Sequence, residues 1–263
     1  MIGRRLVALP EIDAPFSLAA TCGPVTWGKN RWPNVSWHDE ALTWIGWEEG
    51  QAVWRRVSAV GGQSLQIVGP ASRFSDDAWL IHTLGTASSA PLFDDPVLDD
   101  LRRRFPGLGV FAAGSLYEGV IQSIIGQSIS VAAAASTERR FAELFNPPTL
   151  VRGREYWPLP TAAQLAAAEP GIVRKSGVTW RRAHALIEVA TAFAAGELAT
   201  TIDHPAEIDR IRARLHSIST IGPWTVESSL LWGVGWPDAY PVNDVALLRA
   251  ARQAYDLPDM TMQ

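Results

Sequence analysis

Two scarcities frame this chain of 263 residues: it has one cysteine, Cys22, and only two lysines, Lys29 and Lys175. A single cysteine excludes an intrachain disulfide and a four-cysteine iron–sulfur cluster. No paired His or Cys spacing of the kind that holds zinc is present. Any Schiff-base chemistry would have to use Lys29 or Lys175 as its amine. Long apolar runs are missing as well, and none approaches the ~20 residues of a membrane-spanning helix. The start, Met1-Ile2-Gly3-Arg4-Arg5, lacks the apolar stretch of a secretion signal. These absences point to a cytoplasmic protein with no membrane partner, for which a monomer is the simplest state. Positive charge is not in excess either. Lys and Arg total 23 against 27 Asp and Glu, a net charge of −4. Residues 1–105 carry 10 basic against 12 acidic side chains, and residues 106–263 carry 13 against 15. A nucleic-acid binder is expected to show a basic face. Here such a reading must rely on helix termini more than on positive side chains, because runs such as Arg102-Arg103-Arg104 and Arg181-Arg182 are usually solvated helix faces.

What is abundant is apolar content, 47% of the residues, enough to bury a substantial core. The patterning changes near residue 105. Before it, Val35-Ser36-Trp37, Ala41 to Trp47, Ala52 to Val57 and Leu65 to Val68 alternate, with Glu49-Gly50 and Gly61-Gly62 placed where hairpin turns belong. This predicts an antiparallel sheet, joined by a capped helix that starts near Asp76-Asp77-Ala78-Trp79-Leu80. Seven of the twelve tryptophans fall in the first 80 residues, where filling a small sheet's core is the favoured reading over a stacking platform for bases. After residue 105 the period becomes helical. Thr161 and Gln164 form a capping box. Thr179 caps a helix whose apolar positions, Ala183, Leu186, Ile187, Ala190 and Ala194, recur at helical spacing until Gly196. Pro205 opens a further helix with Ile208, Ile211 and Leu215 inward. Residues 146–160, with Pro147, Pro148, Pro158 and Pro160, are expected to form a loop.

The most informative stretch runs from Leu215 to Arg249. It reads as helix, tight hairpin, helix, and then a short loop leading to Asp244 at the start of another helix. Ile221-Gly222 supplies the turn, and Pro223 suits the first helical turn, where no backbone donor is needed. The amides just after Gly222 are then left unpaired, a site suited to a phosphate. A lone acid follows 22 residues after Gly222. An aspartate before a helix is often only an N-cap, and Asn243 is also available for that task. Asp238 is the rival acid, in a loop bounded by prolines.

This segment resembles the helix-hairpin-helix DNA glycosylases, most closely the bacterial 3-methyladenine DNA glycosylase II type. Three flanking stretches match in order: Tyr117-Glu118-Gly119-Val120 running into Ile124-Ile125-Gly126-Gln127, then Leu165 to Pro170, then Arg182 to Ile187. The resemblance implies an α+β chain, with an antiparallel β-sheet domain and a helix over residues 1–105 and an all-α helix-hairpin-helix glycosylase domain over 106–263. Related enzymes continue for further helical segments past the position of Tyr255, so this domain is expected to lack the last of them. The implied activity is base-excision repair without strand cleavage, on double-stranded DNA that carries an alkylated or otherwise damaged purine. Asp244 falls where the family keeps its catalytic aspartate, which stabilises positive charge on the sugar as the glycosidic bond breaks. An alkylated purine is already cationic and leaves readily, so one carboxylate suffices. Trp224 stands where the strand-nicking branch carries a lysine. It is expected in the base pocket together with Ser228, where the family often has an aromatic residue.

The DNA-binding positions implied are Gln127, Ser128, Ile221, Gly222 and Thr225. At Ser128 a larger side chain often fills the gap left by the extruded base, a task serine performs poorly, so that either Ile129 or another loop takes it or extrusion is less efficient. No cofactor is expected to be required. The resemblance also implies a monovalent cation, sodium or potassium, held by the backbone carbonyls of His216, Ile218 and Ile221, although Thr220 stands where the family prefers glycine. Two alternatives stay open: a DNA-damage binding module with impaired catalysis, motivated by Ser128, Ser228 and the early stop, and a glycosylase for oxidised guanine.

Overall fold

The computed structural model describes residues 2–9, 16–29, 31–48, 50–61, 64–70, 76–86, 94–202 and 204–261. Strand β1 (Ile2–Ala8) is followed by two short helices, α1 (Leu18–Thr21) and α2 (Gly23–Trp27). Then come β2 (Val35–His38), β3 (Ala41–Glu48), β4 (Gln51–Ala59) and β5 (Ser64–Pro70). They form one antiparallel sheet in the order β1-β5-β4-β3-β2. Alternation put the inner strands where they are found. It did not announce β1, whose Ile2 and Leu6 are exposed on the sheet's edge. The turn between β2 and β3 places Asp39 and Glu40 at φ 50° and 51°, the left-handed pair that a two-residue hairpin loop needs. Of the turn residues expected from sequence, Glu49 and Gly62 lie outside the described residues. Gly50 and Gly61 have positive φ of 77° and 66°.

Helix α3 (Asp76–Leu84) covers the sheet. Trp79, Leu80 and Leu84 pack with Leu18, Cys22, Leu42, Trp44, Val57 and Ile67 in one core. Within it Arg55 is 2% exposed, ion-paired with Glu48 and lying over the rings of Trp44 and Trp79. Cation–π contact and the ion pair together offset the cost of burying its charge. Most of the clustered tryptophans are therefore side chains of the sheet's own interior.

From α4 (Pro96–Arg104) onward the chain is mainly helical: α5 (Leu116–Gly126), α6 (Val131–Glu143), α7 (Ala162–Ala166), α8 (Pro170–Val173), α9 (Trp180–Ala194), α10 (Glu207–His216), α11 (Pro223–Val234) and α12 (Val245–Tyr255). The expected loop over 146–160 departs from that reading, and with it the expectation of an all-α second half. It holds a short hairpin of β6 (Thr149–Val151) and β7 (Arg154–Tyr156). Arg152 and Gly153, at φ 49° and 81°, make its two-residue turn. Val151 and Tyr156 bury against Ile45 of β3, so tertiary packing fixes a hairpin that its proline-flanked sequence conceals.

Helix α5 is the axis of the helical half, and nine of its eleven residues are buried. It packs antiparallel on α11 at very close range. A Cβ on Gly119 would lie 2.4 Å from the Gly233 Cα and 2.6 Å from the Ser229 carbonyl oxygen. Glycine here is a requirement of backbone approach. The sheet is tied to the helices by polar contacts. The Trp157 amide donates to Pro33 O at 2.8 Å, the Trp47 indole to Leu159 O at 2.6 Å, and Asn34 Nδ2 to Glu118 Oε2 at 3.2 Å. Glu118 and, on α6, Glu138 are both buried, and burial raises the carboxyl of each to about 8. Among the described residues, no single helix is long and apolar enough to cross a membrane.

Candidate active site and nucleic-acid interface

The hairpin between α10 and α11 is built from few parts. Helix α10 ends at His216, and the turn folds back through Ile218, whose carbonyl accepts the Ile221 amide at 3.1 Å. Ile218 and Ile221 are buried and anchor the turn on the core. Thr220 has φ 78°, uncommon for any residue with a side chain and an outlier for a β-branched one. Gly222 is the N-cap of α11, with no side-chain cap bond, and Pro223 occupies the first turn. A Cβ on Gly222 would meet nothing within 4 Å, and its φ of −91° is open to any residue. Neither packing nor conformation demands glycine here. The Trp224 and Thr225 amides at this end have no partner within the helix.

Around this turn the α5–α6 loop forms a brace. Gln127 Nε2 donates to Thr220 O at 3.0 Å and to Thr225 Oγ1 at 2.9 Å. Arg182 of α9 holds Gln127 in turn, donating from Nε to Gln127 Oε1 at 3.2 Å and from Nη2 to Gln127 O at 2.5 Å. The Gln127 carboxamide is thus spent between the two loops, and the buried Thr225 hydroxyl is occupied by it. The next residues, Ser128 at φ 55° and Ile129, are exposed beside the hairpin. Between the brace and the N-terminus of α9 lies a cleft of about 270 Å³, lined by Gln127, Thr179, Arg181, Arg182 and Thr220. Arg182 was visible in sequence as part of a basic pair and of a stretch that matches the family; its bond to a residue 55 positions away was not.

Asp244 is delivered by a tethered loop. Arg212 of α10 grips Glu227 of α11 through two bonds of 2.8 and 3.0 Å. Glu227 also accepts the Tyr240 amide at 3.2 Å, and Pro241 O accepts the Asp244 amide at 3.1 Å. Asp244 then caps α12. Its Oδ1 accepts the amides of Ala246 and Leu247 at 2.9 and 2.8 Å, and its Oδ2 accepts the Trp224 indole N–H at 2.9 Å. The half-buried acid therefore stands against the first turn of the helix that the hairpin starts. Trp224 is half-buried, Ser228 is 1% exposed, and the Ser228 hydroxyl has no partner among the described residues. Asp238 is exposed. No group of three or more His, Cys, Asp or Glu suited to a metal occurs among the described residues.

The sequence profile of the HhH-GPD superfamily of base excision DNA repair proteins matches residues 121–261, which include the brace, the hairpin and Asp244. The chain belongs to that superfamily. A DNA-3-methyladenine glycosylase of Bacillus subtilis is 29% identical over 158 residues, 60% of this chain and 52% of that protein. DNA-3-methyladenine glycosylase 2 of Escherichia coli is 34% identical over 139 residues, 53% of this chain and 48% of that protein. The chain spans about half the length of these relatives. The likeness of fold is wider. A 3-methyladenine DNA-glycosylase from Archaeoglobus fulgidus superposes with a TM-score of 0.78 at 20% identity, covering 98% of this chain and 88% of that one. An 8-oxoguanine glycosylase/lyase of Clostridium acetobutylicum gives 0.71 at 15% identity, covering 100% and 90%. The fold is thus shared by proteins named for different lesions.

Proposed function

We propose that this HhH-GPD protein is a monofunctional DNA glycosylase, acting as a monomer in the cytoplasm, that extrudes an alkylated purine from duplex DNA and hydrolyses its N-glycosidic bond. The observation that carries this reading is the Trp224–Asp244 hydrogen bond, which fixes a carboxylate beside the helix that grips phosphate. As the bond from sugar C1′ to the purine nitrogen lengthens, positive charge builds on the sugar, and a held carboxylate stabilises it without reorganising. The electron pair of the breaking bond goes to the departing purine, whose alkyl group has already made it cationic. Water, oriented by the same carboxylate, then adds at C1′ and loses a proton.

The hairpin amides after Gly222 hold a backbone phosphate, and the brace from Arg182 through Gln127 sets the distance between hairpin and α5–α6 loop. Ile129, exposed beside Ser128, is the apolar side chain that fills the gap in the stack. The carbonyls of His216, Ile218 and Ile221 are hard oxygen donors suited to sodium or potassium, and Ile218 keeps a second lone pair beyond its bond to Ile221. Such an ion would neutralise phosphate charge at the turn and takes no part in bond cleavage.

Trp224 stands beside the acid where a lyase requires an amine, which supports hydrolysis alone over the oxidised-guanine reading. One further reading has an observation of its own. All the bonds to Asp244 Oδ1 are those of an ordinary N-cap, as a module that binds damage without cleaving would also show. The test is duplex DNA carrying a methylated purine. Free base should be released, leaving an intact abasic strand and no borohydride-trapped adduct. Tight lesion binding without release supports the binding module, and a trapped adduct overturns the monofunctional assignment.

A further inference from the structure

One stretch of the chain is basic without compensation. Between Glu169 and Glu188 lie Arg174, Lys175, Arg181 and Arg182, and no acidic residue. Several other arginines are neutralised in place, as Arg102 and Arg103 are by Asp99, Arg139 by Glu143 and Arg212 by Glu227. Neither Arg181 nor Arg182 has a carboxylate partner among the described residues. Their place in the fold is nonetheless fixed. Thr179 Oγ1 accepts the Arg182 amide at 3.3 Å and caps α9, and the Arg174 guanidinium lies over the Trp180 ring at 4.7 Å.

Both arginines line the cleft of about 270 Å³, together with Gln127, Thr179 and Thr220. This lining has no carboxylate and no large apolar side chain, so it offers positive charge and donors to an oxyanion and little to an apolar ligand. Arg182 uses two of its five N–H donors on Gln127, which leaves three. Burial pushes its guanidinium below the ordinary value, the response of a cation that loses water with no anion beside it. The wall opposite is unusual. Thr220 holds φ 78°, and its Oγ1 is buried with no partner among the described residues. Glycine would relieve the backbone strain there, and valine would remove the unpaired oxygen. A hydroxyl kept at a strained position, with nothing inside the protein to bond, is accounted for by a partner from outside.

We propose that this cleft is a second seat for a backbone phosphate of DNA, held by Arg181, by the free N–H groups of Arg182 and by the Thr220 hydroxyl, and separate from the amides after Gly222. This rests on the DNA-binding part of the glycosylase reading. The seat gives a chain of net charge −4 a phosphate contact without a broad basic face, through two arginines kept clear of acids. Because Arg182 also holds Gln127, the same side chain joins the bound strand to the brace. Free inorganic phosphate shares the chemistry of such a linkage.

The experiment measures duplex affinity against chloride concentration for wild type, Arg181→Gln and Thr220→Val, on damaged and undamaged DNA, with melting temperatures taken in parallel. Arg181→Gln should flatten the slope of log affinity on log salt by about 0.9 on both duplexes and weaken binding about 5-fold. Thr220→Val should bind DNA about 3-fold more weakly while its melting temperature holds or rises. Neutral methylphosphonates placed singly along each strand should reveal one linkage where the wild type loses about 5-fold and Arg181→Gln loses nothing further. An unchanged slope in Arg181→Gln, or additive losses at every linkage, would overturn the seat. A Thr220→Val protein that melts lower and loses affinity in proportion would assign that side chain to packing and remove it from the seat. Calorimetric binding of inorganic phosphate that Arg181→Gln abolishes, with equal DNA slopes for the two proteins, would reassign the cleft to a free anion and overturn the DNA contact. A wild type that binds no duplex would overturn the DNA-binding reading itself.

Discussion

Helices α5 and α12 both adjoin α11 and are held by opposite means. Nine of eleven residues of α5 are buried, and its backbone touches α11 through Gly119 and Gly233. Helix α12 has no buried residue, and Val245 and Leu247 are exposed at 71% and 42%. It is fixed by polar ties: Asp244 to Trp224, the Tyr255 hydroxyl to Asp95 Oδ2 at 3.0 Å, and Arg252 Nε to Met260 O at 2.8 Å. Helix α11, which follows the hairpin, therefore rests on close packing, whereas the acid rests on a few hydrogen bonds. Stability and chemistry should respond to different substitutions.

The sharpest break in this comparison is Gly119→Ala. Its Cβ would collide with backbone that cannot move independently, so a loss of about 3 kcal/mol or more is expected in denaturant unfolding. A smaller but more diagnostic effect comes from Glu138→Gln. Glu138 is 1% exposed, and its Oε2 has no partner among the described residues. Burial and then the neighbouring Glu118 raise its carboxyl from 4.5 to about 8, and burial raises Glu118 likewise, opposed by the Asn34 bond. The folded state binds these protons more tightly than the unfolded chain does. Stability is whole below pH 4.5 and falls as pH climbs through about 8. Glu138→Gln should gain on the order of 2 kcal/mol at pH 9 and little at pH 5, read from melting curves across pH. An equal shift at both values would contradict a buried, proton-holding pair.

Thr220→Gly sharpens the same side of the contrast. It removes a side chain from a left-handed position, and relief of strain should exceed the added freedom of the unfolded chain by about 1 kcal/mol. On the other side, Leu247→Ala should change stability by no more than about 0.5 kcal/mol, because that side chain lies at the surface, 42% exposed. A loss several times larger would show that α12 is packed after all.

These contrasts also mark what the sequence could disclose. Alternation reported β4 and β5, each of which keeps one face in the core; β3, which is buried on both faces, lies between turn residues that mark its ends. The cap at Asp244 and the Gly222-Pro223 turn were legible because helix ends impose local chemistry. Helices α1 and α2, of four and five residues, are too short to show a helical period, although Ser17 caps the first and a proline opens the second. The brace made by Gln127 and Arg182 was hidden for another reason. Each depends on a partner distant in the chain, such as Thr220 for Gln127 at 93 positions, and periodicity carries no record of such pairs.

The most direct measurement compares Asp244→Asn with the wild type in single-turnover release of a methylated purine, with lesion-DNA affinity and melting temperature measured on the same preparations. Asparagine caps a helix about as well as aspartate, so stability should stay within about 0.5 kcal/mol. With the charge gone, release should slow by about 100-fold or more while DNA affinity is retained. Release at the wild-type rate by a folded Asp244→Asn protein would contradict the account and leave Asp244 as a helix cap.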